Sequence, residues 1–403
     1  MKGWIIMNFL NFNCKINIKN NPLNLNINDY LSVALRNNKK RKFLFVSKNL
    51  GKHLPVDPKK VDELGFLVTK SYKNKYKNYK NEKQLVIGFA ETATCLSHSF
   101  FSYLESAKYF IHTTREEIKG LKKLEFLEEH SHAMEQNLYI DNLKNIENLN
   151  EVILVDDEIT TAKTCINMIS KIQECFKIKK FVIASILNWI DEDRNKEIQE
   201  YAKKLGCSIE FVYLFNGNFD FSIDKEPEDK IIKVNNNISN GVVNNINLNF
   251  EEYFGDKKYT LYTGRFGMDR NMQNSLLKVI DRESKKLIPQ NKQSKILCLG
   301  IEEFMYIPMM LSKKIEGDVY FHSTTRSPIL PVSNNDYPIN EKYNFESFYN
   351  DNMNFIYNLS ANKYDEFFLF IEIFKEPEKV NDFIRILQFV GIKKINVVKF
   401  FKE

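Results

Sequence analysis

The chain has 403 residues, 43% of them hydrophobic and 27% charged, which is the make-up of a folded protein with two to three domains of roughly 100–200 residues each. Glycine (14) and proline (10) are scarce, which excludes collagen-like or low-complexity material for the bulk of the chain. With 58 basic and 52 acidic residues the net charge is only +6, too mild to argue for a nucleic-acid partner. The cysteines (Cys14, Cys95, Cys165, Cys175, Cys207 and Cys298) form no CxxC pair, so single thiols in a reducing cytoplasm are expected rather than disulfides or a zinc site. The N-terminal MKGWIIMNFL lacks the long apolar run and cleavage site of a signal peptide. No stretch approaches the roughly 18 uninterrupted apolar residues of a membrane helix.

In chain order, residues 1–50 are Asn-rich, with two short runs, FNCKINIKN and KKRKFLFVS, that read as edge strands. The run KSYKNKYKNYKNEK (70–83) interleaves Lys with Tyr. That is a weak nucleic-acid signal beside the plainer reading of a solvated surface segment. From Gln84 the pattern sharpens: strand QLVIG, helix ATCLSHSFFSYLESA, strand KYFIHTT, strand EVILVDD, helix TAKTCINMISKIQECF, strand KKFVIASILNWI, helix RNKEIQEYAKKLG and strand CSIEFVYLFNG. Apolar strands alternating with helices of 10–15 residues predict right-handed βαβ units and a parallel sheet covered on both faces. Residues 227–256 lose this rhythm and read as a connection. Helix MQNSLLKVIDRES, strand KILCLG, helix EEFMYIPMMLSKKI, strand DVYFHSTTR, strand DEFFLFIE, helix KVNDFIRILQF and strand INVVKFF then predict a second, smaller α/β domain. The expected domains are 1–250 and 251–403.

The sharpest feature is VILVDDEITTAKT (152–164). A buried strand delivers Asp156 and Asp157 to its C-terminal end, where open α/β sheets bind ligands. A turn of Glu158, Ile159, Thr160, Thr161, Ala162, Lys163 and Thr164 then leads into a helix N-terminus, where free amides and the helix dipole suit a phosphate. Thr160, Thr161 and Thr164 add hydroxyl donors. The two carboxylates suit the vicinal hydroxyls of a sugar. Phosphate and diol recognition within nine residues implies a ribose 5-phosphate. Two other readings stand beside this one: the first strand of a receiver domain, and a helix N-cap after a buried strand.

The segment resembles the phosphoribosyl pyrophosphate (PRPP) motif of type I phosphoribosyltransferases: four apolar residues, two acids, two mostly apolar residues, two Thr/Ser, Gly, any residue, Thr/Ser. It departs at Glu158, where an apolar residue is usual, and at Ala162, where Gly is usual because it adopts φ > 0 or lets the backbone close on phosphate. GFAETATCLSHSFF, YFIHTTREE, LEFLEEHSHAMEQNLY, YTGRFGMD and YFHSTTRSPIL complete a set similar to the two-domain phosphoribosyltransferases of bacterial tellurium-resistance-type stress gene clusters. The C-terminal module of that family takes its name from a Thr-Arg-Ser-Pro tetrapeptide, here Thr325, Arg326, Ser327 and Pro328.

The resemblance implies a magnesium-dependent transferase. PRPP would lose pyrophosphate from ribose C1 to an unidentified base, or the reaction would run in reverse on a nucleotide, in the making of a nucleoside-like compound in a stress response. Asp156 and Asp157 would hold the diol and reach Mg²⁺ indirectly. Glu91, Thr92, Ala93, Thr94 and Arg115 would bind pyrophosphate, with the amides of Ala93 and Thr94 as anion donors; a helix cap and a surface ion pair of Arg115 are the plainer readings. In EEHSH, His130 and His132 would serve acid–base work or charge neutralisation from a mobile loop, the alternatives being a metal site or idle surface histidines. Arg265, Glu302, Glu303 and Arg326 would form a second-domain anion or substrate site, or else fix loops. A cytoplasmic enzyme with no membrane or nucleic-acid partner is expected, and a homodimer is common for the fold. A PRPP or nucleotide sensor without catalysis, and a scaffold that binds no PRPP, are the rival functions.

Overall fold

Each helix of the alternating region carries one apolar stripe and has to cover it. In Lys163–Cys175 the buried apolar residues are Cys165, Met168, Ile169 and Ile172, the i, i+3, i+4, i+7 spacing of a single face. That stripe packs with Leu85, Ile87, Val152, Leu154, Phe181 and Ile183 of the strands and with Ile198 and Ala202 of the next helix. Each fully buried aliphatic side chain here contributes about 1.5–3 kcal/mol. Helix Glu192–Leu205 starts where the Asp191 carboxylate accepts from the Arg194 amide, and it stops at Gly206 with φ 70°, so both ends carry the expected caps.

The computed structural model describes all residues except 1–4, 10–11, 39–40, 128–134, 140–148, 236–237, 255–258, 375 and 401–403. The chain forms two compact units, Met1–Ile27 with Glu63–Asp224 and Tyr262–Asn274, and Asn28–Asp62 with Lys225–Leu261 and Ser275–Glu403. This division does not follow a single cut near residue 250, because strand pairing overrides chain order. Strand Met268–Asp269 pairs with Ala107–His112. Strand Leu31–Leu35 pairs with Phe43–Ser47, and Leu35 exchanges hydrogen bonds with Tyr337 and Leu330.

The first unit holds an eight-stranded sheet in the order Ile5–Phe9, Phe12–Asn20, Ser208–Ile223, Lys180–Asn188, Glu151–Ile159, Gln84–Gly88, Ala107–His112, Met268–Asp269. Its five middle strands are parallel, and the outer ones join antiparallel. The Lys/Tyr run belongs to this scaffold. Its first six residues lie in helix Pro58–Lys75, where Tyr72 is fully buried and Lys73 donates to the Tyr103 carbonyl.

The second unit holds a five-stranded parallel sheet in the order Val242–Asn247, Lys394–Lys399, Glu366–Ile371, Lys295–Gly300, Asp318–Ser323. The connection expected at 227–256 therefore contains a strand. Val242–Asn247 is an edge strand with an exposed–intermediate alternation, and its Asn-rich composition hides it from a hydrophobicity reading. The helix expected over EEFMYIPMMLSKKI shortens to Tyr306–Ser312, since Glu302 takes φ 52° and breaks the helix before it begins. Two strands with no clear sequence signal, Lys342–Glu346 and Met353–Tyr357, form a hairpin.

Candidate functional site

Strand Gln84–Gly88 runs beside Glu151–Ile159 only as far as Val155, whereas Lys180–Asn188 accompanies it to Ile159. From Asp156 onward one edge of the acidic strand is therefore open. This opening lies where strand order reverses. Gln84–Gly88 leads to Ala107–His112 on one side, and Glu151–Ile159 leads to Lys180–Asn188 and Ser208–Ile223 on the other. Ligands of open α/β sheets bind at such a switch point, outside the carboxyl ends of the strands.

Asp156, Asp157 and Glu158 are half-buried, after five fully buried residues. Asp156 Oδ1 accepts from the Asp157 amide at 2.9 Å. Burial, and then the Asp156 carboxylate, push the Cys165 thiol well above its ordinary range, so that thiol stays protonated and is not a nucleophile.

The turn after the strand reaches helix Lys163–Cys175 through Ala162, which adopts φ 58°, ψ 14°. The motif's glycine position is thus left-handed in this chain, and an alanine fills it at a cost of about 1–2 kcal/mol. The amides of Thr160, Ala162 and Thr164 meet no protein acceptor among the described residues, leaving three donors at a helix N-terminus. The Lys163 amide makes a long contact of 3.4 Å with Thr161 Oγ1. Two side chains absent from the sequence-based set hold this turn. Trp189 Nε1 donates to Glu158 Oε1 at 3.0 Å, and Arg194 Nε donates to the Thr161 carbonyl at 3.0 Å.

The second turn, residues 89–93, joins strand Gln84–Gly88 to helix Thr94–Tyr103. The Ala90–Glu91 peptide is cis. Both polar groups of Ala90 are held: its amide donates to Thr113 Oγ1 at 2.8 Å, and its carbonyl accepts from Gln136 Nε2 at 2.7 Å. Thr113 in turn donates to Gln136. Thr113 and Gln136 are fully buried, and neither carries a pattern that sequence reading could have used. The expected anion donor at Ala93 needs correction, because its amide already donates to the Phe89 carbonyl at 3.1 Å. Glu91 is 5% exposed and faces Arg115 at 3.4 Å, so it positions that guanidinium. Thr94 Oγ1 donates to the Glu91 carbonyl at 3.2 Å, and Thr92 stands at the turn, half-buried.

His130 and His132 lie outside the described residues. The four residues expected to form a second-domain site are divided between the units. Arg265 belongs to the first, where it is buried and its Nε donates to Thr114 Oγ1 at 3.3 Å. Met268 and Asp269 are strand residues of that sheet, which carries TGRFG with them. Glu302, Glu303 and Arg326 belong to the second unit. Arg326 pairs with Glu302 at 2.7 Å. The Glu302 carboxylate also accepts from Ser347 and, at 2.7 Å, from Asn354 Nδ2. The Ser327 carbonyl accepts from Tyr357. Arg326 thus anchors the Thr-Arg-Ser-Pro loop to a buried carboxylate. Glu303 is 8% exposed.

Residues 30–218, just under half of the chain, match the phosphoribosyl transferase family model, which supports a phosphoribosyltransferase domain in this part of the chain. Residues 262–387 match the TRSP domain that stands C-terminal to this transferase domain, so the two occur here as a fusion. Among solved structures, the chain is similar to adenine phosphoribosyl transferase from Trypanosoma brucei in complex with AMP, pyrophosphate and ribose-5-phosphate, at 14% identity over 49% of this chain and 82% of that one, TM-score 0.36. It is also similar to the Giardia lamblia enzyme complexed with 9-deazaadenine (12% identity, 45% and 92% covered, TM-score 0.32) and to the enzyme from Rhodothermus marinus (13%, 46% and 94%, TM-score 0.32). No curated protein matches the chain.

Proposed function

We propose that the first unit binds PRPP at the switch point and transfers its phosphoribosyl group. The supporting observation is the conjunction, at the end of one strand, of two half-buried carboxylates and a turn with unoccupied amides at a helix N-terminus. The turn 158–164 grips the 5-phosphate. Asp156 and Asp157 accept from the ribose 2- and 3-hydroxyls and place negative charge beside the ring. The bond from C1 to the pyrophosphate oxygen breaks as the bond from C1 to the acceptor forms, through a transition state with positive charge on the ribose. Preorganised carboxylates stabilise that charge without moving. Arg115, held by Glu91, faces the departing pyrophosphate, whose polar grip is completed around Thr92 and Thr94. Pyrophosphorolysis of a nucleotide is the same step reversed. The reading extends to synthesis of a nucleoside-like compound in a stress response, with a base or nucleotide as the other substrate.

Magnesium fits these residues. The described residues offer no group of three or more His, Cys, Asp or Glu side chains that would cage a metal, but paired carboxylate oxygens beside a phosphate-binding turn are the hard-oxygen surroundings this cation shares with substrate phosphates. When bound, it neutralises charge on pyrophosphate. Calorimetry with PRPP and magnesium tests the proposal. Wild type is expected to bind, and Asp157→Asn to lose at least about ten-fold in affinity, the scale of a charge-assisted hydrogen bond to the diol. Absence of heat with wild type overturns the reading. Pyrophosphate release with a panel of bases then separates an enzyme from a sensor, which binds PRPP but releases nothing.

A further inference from the structure

The two departures of the phosphate turn from the family pattern, Glu158 and Ala162, are explained by the neighbouring strand and helix. We infer that Trp189 and Arg194 are positioning residues that hold the 158–164 turn in its phosphate-binding shape and allow an alanine to occupy its left-handed position. This rests on the proposed function of the same site.

The geometry supplies a tether on each side of the turn. On the strand side, the Trp189 amide donates to the Ile159 carbonyl at 2.8 Å while its indole N–H donates to the Glu158 carboxylate at 3.0 Å. Trp189 is itself fixed: it is 7% exposed, and its ring meets Phe219 edge-on at 5.2 Å. On the helix side, Arg194 Nε reaches the Thr161 carbonyl at 3.0 Å. Its guanidinium is aimed by Glu197 at 2.7 Å, and its backbone by the Asp191 cap at 2.8 Å. Ile159 and Thr161, anchored by these two contacts, bracket Thr160, and Thr161 immediately precedes Ala162. An apolar residue in place of Glu158 would leave the indole N–H without this acceptor. Without both tethers, an alanine at φ 58° would favour the right-handed region and swing the Thr160 and Ala162 amides away from a shared target.

The test uses the full chain and three probes: PRPP with magnesium, ribose 5-phosphate, and inorganic pyrophosphate, each by calorimetry. Trp189→Phe keeps the ring and removes the N–H, and Arg194→Ala removes the guanidinium. Each is expected to weaken ribose 5-phosphate and PRPP about ten-fold, the equivalent of one lost charge-assisted hydrogen bond, and to leave pyrophosphate unchanged. Arg194→Lys, which keeps a donor within reach of the Thr161 carbonyl, recovers most of the affinity. Adding Ala162→Gly to Trp189→Phe restores ribose 5-phosphate binding more than the same change does in wild type, a non-additivity that marks coupling. The inference is overturned if Arg194→Lys binds ribose 5-phosphate as weakly as Arg194→Ala does, or if all variants bind like wild type. It is also overturned if pyrophosphate affinity falls in parallel, which would mark a general loss of structure. If wild type binds none of the probes, the proposed function itself fails.

Discussion

Ala162 combines a conformational cost with a packing gain. At φ 58° an alanine carries about 1–2 kcal/mol of strain relative to glycine, while burying its methyl group in the core contributes about 0.8 kcal/mol. The strain outweighs the burial, so Ala162→Gly is expected to stabilise the protein by up to about 1 kcal/mol, seen as a higher urea midpoint at unchanged slope. A lower midpoint would mean that the methyl contact dominates. Arg265 teaches the same lesson at a different position. TGRFG reads as part of the second domain from its place in the chain, yet hydrogen bonding to Thr114 and pairing of Met268–Asp269 with Ala107–His112 assign it to the first unit. No property of five consecutive residues encodes that partner.

At the level of elements, the acidic strand is supported at its far end by a buried network. Glu151 Oε2 accepts from Tyr72 at 2.6 Å and from Gln84 at 2.9 Å, and Glu151 Oε1 pairs with Lys180 at 2.8 Å. Burial, and then the Glu151 carboxylate, push the Tyr72 phenol far above its ordinary range, so it remains a donor. Lys180 lies 3.7 Å over the Tyr76 ring. Tyr72→Phe removes a donor from a fully buried carboxylate and is expected to cost about 1.5–3 kcal/mol. Thermal melting and PRPP calorimetry on the same sample check this: the melting temperature falls, and affinity holds because the network sits at the opposite end of the strand from Asp156. The carbonyls of Ile209, Phe211 and Tyr213 accept from Gln199, Lys75 and Ser71, so side chains cap part of the backbone of strand Ser208–Ile223. The Lys/Tyr run is thus a device of the fold. Its spacing was legible, but its role was not, because the acceptors lie from 30 residues away, as for Lys73 and Tyr103, to 142, as for Ser71 and Tyr213.

At the level of the molecule, three buried histidines weaken the fold in acid. His98 and His112 in the first unit and His322 in the second are each lowered to about 3, first by burial. Further lowering comes from His112 and Arg270 at His98, from Arg265 at His112, and from His53 and Lys52 at His322. His98 Nε2 and Gln273 Oε1 are 2.7 Å apart. The unfolded chain takes up a proton on each near pH 6.5 and the folded chain does not, so the stability they confer is complete above that pH and is lost as pH falls toward 3. Within that window each histidine contributes about 1.4 kcal/mol per pH unit. Urea midpoints measured from pH 7.5 to 4.5 are expected to be level above about 6.5 and to drop steeply below. A flat profile would show that these rings are protonated in the folded state. No helix among the described residues is long and apolar enough to cross a membrane.

Short-range periodicity and one thirteen-residue motif were enough to read the βαβ order, the acidic strand and the turn that leads from it into the next helix, because strand alternation, helix stripes and turn geometry are set by neighbours a few residues apart. Tertiary structure decided which distant segments complete the two units, that Glu91 serves Arg115, and that Gln136, Trp189 and Arg194 hold the two turns. Those outcomes depend on hydrogen-bond partners tens to hundreds of residues away, and the chemistry of a residue does not reveal its partner until packing has brought the two together.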